Sequence, residues 1–146
     1  MPHIPRKTPP PGIPVFVYGT LLPGECNHRI VAPHLAAAPS PGAVRGRLYD
    51  AGEYPGLVPD DSATPVEGAW LYVRRAGLAA MDELEDYYGP GGDNDYERIR
   101  IRDADGAREG WTYVWLDGRG YPLIAGGSWR KHRAGIAAGQ RAQPEP

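Results

Sequence analysis

The chain is short of cysteine, of long apolar runs and of net charge. Its 146 residues include one cysteine, Cys26, which excludes an intramolecular disulfide and a zinc cage built on thiolates. The remaining soft ligands, His3, His28, His34 and His132, show no ligand spacing with acids, so no metal site and no cofactor are expected. No apolar run approaches the ~18 residues of a membrane span. The opening MPHIPRKTPPPGIP also lacks the apolar stretch of a secretory signal, so a cytoplasmic protein without a membrane partner is expected. Sixteen Lys and Arg stand against eighteen Asp and Glu, a formal charge of -2. That balance supplies no global attraction for phosphate backbones or anionic lipid. Trp129-Arg130-Lys131-His132-Arg133 and the arginines at 98, 100 and 102 are therefore read as solvated faces, since no nucleic-acid motif accompanies them.

What is present fits one globular domain: 41% hydrophobic and 23% charged residues at this length bury a single core. Proline and glycine are abundant, 17 and 20 residues, but unevenly placed, with six prolines in residues 1–14. Fixed φ angles and missing amide donors there predict an extended arm over residues 1–14. A folded unit is expected over residues 15–138 and a polar tail, GQRAQPEP, over 139–146.

Val15-Phe16-Val17-Tyr18 is a short apolar run stopped by Gly19-Thr20, a buried strand delivering the chain into a tight loop. Residues 27–37, opening at Asn27, predict a short helix interrupted near Pro33. Strands are predicted over 44–49 and 66–73, with a long irregular connection between them. Residues 96–102 alternate, placing Tyr96 with Arg98, Arg100 and Arg102 and setting Ile99 and Ile101 opposite. Residues 111–116, WTYVWL, are bulky on both faces and expect cover on both sides, as in a strongly curled sheet. A last helix is predicted over 128–138, capped by Ser128. This order is mixed α+β rather than regular βαβ winding.

The clearest helix is predicted over 77–88, GLAAMDELEDYY. Advancing ~100° per residue from Leu78 gathers Met81, Leu84 and Tyr88 on one apolar face, with Glu85 inside it at ~340°. Asp82, Glu83 and Asp86 fall outward or at its edge. A carboxylate turned toward apolar surroundings loses solvation, which raises its pKa and makes it a better proton acceptor near neutrality. The competing reading is an ion pair between Glu85 and an arginine of the 98–102 strand. A second candidate feature is the turn Tyr18-Gly19-Thr20-Leu21, where successive amides can cradle a carboxylate or developing oxyanion. Cys26 and His28 lie beside that turn, but a cysteine nucleophile needs a spatially supported base, and no role is assigned to them. Trp111, Tyr113 and Trp115 at period two read first as core, with Tyr113 a candidate for core and pocket wall together.

VFV followed by Tyr18-Gly19-Thr20-Leu21, then MDELED, then Tyr96-Glu97-Arg98 before an alternating strand, together resemble the gamma-glutamylcyclotransferase-like family. That family has a YGSL or YGTL loop, an LDxxEG segment holding a catalytic glutamate, and a YxR strand. GRLYDAGEYPGLVPD is similar to a further stretch of bacterial members. The resemblance spans about residues 15 to 133. It implies a mixed sheet curled into a small barrel with flanking helices, and a reaction needing no cofactor. A small gamma-glutamyl compound would be held by Tyr18, Gly19, Thr20 and Leu21, with Tyr54 and Pro55 on the rim and Tyr96 and Tyr113 against it. Glu85 would take a proton from the α-ammonium and return it to the departing amine as 5-oxoproline forms. A non-catalytic binding module on the same fold, or an enzyme stripping a gamma-glutamyl protecting group from a larger amine, are the alternatives. Two positions depart from the pattern: Met81 stands for the usual Leu, and Asp86 for the Gly after the glutamate. The leaving group and oligomeric state are left open.

Overall fold

A computed structural model describes residues 10–142. Six strands and three helices follow one another as β1 Ile13–Val17, α1 His28–Val31, β2 Leu35–Asp50, β3 Pro55–Pro59, β4 Pro65–Val73, α2 Arg75–Leu84, β5 Glu97–Arg102, β6 Glu109–Val114 and α3 Trp129–Ala142. The strands form one mixed sheet in the order β3-β2-β4-β1-β6-β5. Strand β1 pairs antiparallel with β4 and parallel with β6, whereas the other neighbours are antiparallel.

The sheet rolls into a half-barrel, and the double-faced strand at 111–116 marks where. Tyr113 and Trp115 enter one buried cluster with Val15, Val17, Leu71 and Met81, while Val114 joins Phe16, Trp70, Leu57 and Leu48 in a second. Just past β6, the Trp115 amide donates to the Leu57 carbonyl at 2.8 Å, tying that end to β3 across the curl. Gly56 is required there, because a side-chain carbon on it would lie 2.1 Å from the Trp115 ring. The second cluster is sealed by Asp103, whose Oδ2 accepts Trp70 Nε1 at 2.7 Å and the Ala43 amide at 3.2 Å.

Several boundaries differ from those expected of the sequence. Strand β1 begins at Ile13 and α3 continues to Ala142, past both expected edges of the folded unit; Ile13 and Pro14 are drawn into register with Val73 and Tyr72. Residues 1–9 of the expected arm and 143–146 of the expected tail lie outside the described residues. The expected helix over 27–37 reduces to His28–Val31 and a 3-10 turn, after which Leu35 opens β2 by pairing with Val73. Asn27 makes no side-chain cap. The connection between the predicted strands contains β3, a strand bounded by two prolines that pairs along β2 from Asp50 to Gly46.

The helix predicted over 77–88 occupies 75–84, and its end matters most for function. The chain leaves it through a Schellman turn: Asp86 adopts φ +51°, its amide donates to Glu83 O at 3.3 Å, and the Tyr87 amide donates to Asp82 O at 2.9 Å. That left-handed residue breaks the helical phase, so Tyr87 enters the core and Tyr88, expected on the apolar face, is 72% exposed. Ser128 caps α3 as expected, accepting from the Lys131 amide at 3.3 Å. The basic face of α3 contacts this chain's own surface: Arg130 bonds Pro23 O, Arg133 bonds Gly52 O, and Lys131 lies 3.6 Å from Glu67. Among the described residues no helix is long and apolar enough to cross a membrane.

Candidate active site

Where the chain leaves the buried strand β1, a pocket of about 180 Å³ opens beneath the C-terminal end of α2. The turn Tyr18 to Leu21, Asn27, Tyr54-Pro55, Leu84-Glu85, Asp95-Tyr96 and Tyr113 line it. Every residue that the sequence placed in a site therefore meets at one cavity. Pro55, expected on the rim with Tyr54, is there as well; sequence reasoning missed Asn27, Leu84 and Asp95, because only tertiary packing delivers them.

The Tyr18-Leu21 turn is held from several sides. Leu22 N–H donates back to Gly19 O at 3.1 Å, Asn27 N–H to Thr20 O at 2.9 Å, and Asn27 Nδ2 to Thr20 Oγ1 at 3.0 Å. The His28 ring bonds Leu21 O at 2.8 Å, and Cys26 is exposed. Among the described residues, the amides of Gly19, Thr20 and Leu21 donate to no backbone carbonyl. Successive unspent amides lining a cavity form a receptor for a small anion. Gly19 serves this turn through space rather than through an unusual φ: a side-chain carbon there would lie 2.6 Å from Pro55 Cγ.

The tyrosines are fixed by their hydroxyls. Tyr18 donates to Tyr113 O at 2.6 Å and accepts the Leu57 amide at 3.3 Å, joining β1, β6 and β3. Tyr96 donates to Pro55 O at 2.8 Å, and Tyr113 donates to Asp82 Oδ1 at 2.5 Å. Burial is the first cause that pushes all three phenols above the ordinary tyrosine range. Tyr54 is 41% exposed on the rim, its ring 6.4 Å from that of Tyr96.

Glu85 is the C-cap of α2. Its side chain is half-buried at the pocket wall, and burial, then the charges of Asp95 and Asp86, push its carboxyl up from 4.5 to about 8. The Arg98 guanidinium closes on Asp82 instead, at 2.7 Å, so the ion pair anticipated for the inward acid forms with its neighbour. Asp82, placed at the edge of the apolar face by helical phase, is thereby drawn into the structure behind the pocket. Asp95 pairs with Arg119 at 2.9 Å on the outer rim. A half-buried carboxyl poised near neutrality opposite free amides can shuttle a proton while an anion or oxyanion is held. Among the described residues no group of three or more His, Cys, Asp or Glu could hold a metal ion.

The sequence and the fold have counterparts among known proteins. The profile of the gamma-glutamyl cyclotransferase, AIG2-like family matches residues 15–131, and the chain belongs to that family. It is thus an enzyme of the cyclotransferase type. A curated relative from Niallia circulans, gamma-L-glutamyl-butirosin B gamma-glutamyl cyclotransferase, is 35% identical over 129 residues, covering 86% of this chain and 80% of the relative. Among solved structures, an AIG2-like protein from Mus musculus superposes with a TM-score of 0.64 at 23% identity, over 82% of this chain and 88% of that one. An uncharacterised protein from Pyrococcus horikoshii superposes with a TM-score of 0.66 at 19% identity, over 87% and 98%. These two likenesses concern the fold, a curled mixed sheet with flanking helices.

Proposed function

We propose that the chain converts a gamma-glutamyl amide into 5-oxoproline and a free amine, with Glu85 as general acid and base. The substrate's α-carboxylate lies against the Gly19-Leu21 amides. Glu85 takes a proton from the α-ammonium, and the freed amine attacks the side-chain carbonyl of the same molecule. A carbon-nitrogen bond forms and closes a five-membered ring, and the tetrahedral oxyanion is held by backbone amides of the turn. The bond to the leaving nitrogen then breaks as Glu85 returns its proton to it, and the surplus proton on the ring nitrogen passes to the released amine, which departs as an ammonium, so no group is consumed. Nucleophile and electrophile share one molecule, which leaves the protein to fold the substrate, carry the proton and stabilise the charge.

The observation that carries this reading is the carboxyl of Glu85, raised to about 8 without a cationic partner, beside unspent amides in one cavity. The leaving group is read as an amine rather than an amino acid. The pocket lining has two acids, Glu85 and Asp95, and no Lys, Arg or His to receive a second substrate carboxylate, and the rim cation Arg119 is already paired with Asp95. Residues 82–97 carry five further acids and no base. The name of the Niallia circulans relative, a cyclotransferase of gamma-L-glutamyl-butirosin B, supports a gamma-glutamyl substrate. Incubation with gamma-glutamyl amines, gamma-glutamyl dipeptides and glutathione tests the function. Release of 5-oxoproline from at least one supports it; tight binding without turnover of any would make the chain a binding module.

A further inference from the structure

Glu85 shares its face of α2 with a second carboxylate that reaches the pocket wall from behind. Asp82, one turn earlier, accepts the Tyr113 hydroxyl on Oδ1 at 2.5 Å and Arg98 Nη1 on both oxygens, at 2.9 and 2.7 Å. Arg98 is itself clamped, its guanidinium 5.0 Å from the centre of the Tyr87 ring and 4.7 Å from that of Trp111. A cation stacked between two rings holds its carboxylate in place, and the carboxylate in turn holds the Tyr113 hydroxyl.

A phenol has one proton to donate and lone pairs to accept with. Because the Tyr113 proton is committed to Asp82, its oxygen offers the pocket acceptor sites alone. Burial, followed by the hydrogen bond to Asp82, pushes this phenol well above the tyrosine range, so it keeps its proton at working pH. Tyr113 and Glu85 line the same cavity, which sets that oxygen in the site of the proposed base.

We propose that Asp82 is a positioning residue: by holding the phenolic proton it makes the Tyr113 oxygen an acceptor for the substrate's α-ammonium, beside Glu85. This rests on the cyclisation reading above. With one N–H held by Tyr113 and another proton passing to Glu85, rotation of the nitrogen is restricted while its lone pair is released. Were Asp82 merely the counter-ion of Arg98, deleting the Tyr113 hydroxyl would leave substrate affinity unchanged.

Three variants and one inhibitor separate these cases. Tyr113→Phe keeps the Asp82–Arg98 ion pair and is expected to raise KM for a gamma-glutamyl amide about tenfold, with kcat changed less than about threefold. Asp82→Asn, whose amide can donate to the phenol oxygen, is expected to raise KM similarly in the wild-type background and to add nothing in the double variant with Tyr113→Phe. Inhibition by glutaric acid monoamide, which lacks the α-ammonium, is expected to be the same in all. Wild-type KM in Tyr113→Phe would overturn the proposal; because that variant leaves the ion pair intact, it decides the matter even if Asp82→Asn does not fold. An equal effect of Asp82→Asn in both backgrounds, or an equal loss of the inhibitor, would overturn it as well, leaving the cyclisation reading standing. A wild-type protein forming no 5-oxoproline from any gamma-glutamyl compound overturns both.

Discussion

Arg98 closes on Asp82 at 2.7 Å, and Glu85, three residues further along α2, is left without a cation. An acid turned inward on a helix has two common fates, a structural ion pair or a perturbed group at a cavity, and this one arginine separates them. Had Arg98 reached Glu85, the carboxyl would be held ionised and would be a poor proton carrier. With Asp82 taking the arginine, Glu85 is raised by burial and by its acidic neighbours.

That elevation makes stability fall with pH. Glu85 binds its proton more tightly in the folded chain, about 8, than at its ordinary 4.5, so folding takes up a proton between those values and stability is lost as pH rises through them. Glu85→Gln removes the penalty. The variant should melt with wild type near pH 4 and several degrees higher at pH 8, a gain of order 1 kcal/mol after allowance for solvent at the pocket. Thermal melts across pH check this, and a difference independent of pH would contradict it.

Asp86 occupies the left-handed position of the Schellman turn at φ +51°, where glycine carries no penalty. Its charge also helps to raise Glu85. Asp86→Gly should therefore stabilise the fold by about 1 kcal/mol and shift the rising limb of the kcat/KM pH profile to lower pH. Denaturant titration and pH-rate profiles test the two effects separately; a destabilised variant, or an unmoved limb, would count against the account.

Much of this site was legible in the sequence because its decisive features are local. The run entering Gly19-Thr20 and the phase of Glu85 within α2 need no tertiary information. The two bulky faces of residues 111–116 likewise announced a curled sheet, which the Trp115–Leu57 bond across β6 and β3 realises. What periodicity could not carry lies past Leu84. One left-handed residue ends the phase there and exchanges Tyr87 for Tyr88 in the core. Strand β3 was hidden because Pro55 and Pro59 read as breakers, although an edge position tolerates them. Asp82 looked peripheral because its partners come from β5 and β6, 16 and 31 residues away.

The absence of a cation from the pocket lining predicts selectivity among leaving groups. A gamma-glutamyl diamine should be turned over with kcat/KM at least about tenfold above that for glutathione, whose second carboxylate would find no cation in the lining and Arg119 on the rim already paired with Asp95. Raising the salt concentration should narrow the gap. Initial rates of 5-oxoproline release measure it, and a preference for glutathione would contradict the reading of the mouth.

The central claim is that one carboxyl carries the proton. The direct measurement is 5-oxoproline formation by Glu85→Gln under saturating gamma-glutamyl amide, alongside calorimetric binding of the same compound. The account predicts a folded variant that binds the ligand within a few-fold of wild type and loses at least about 10²-fold in kcat. Turnover retained at the wild-type rate would contradict it.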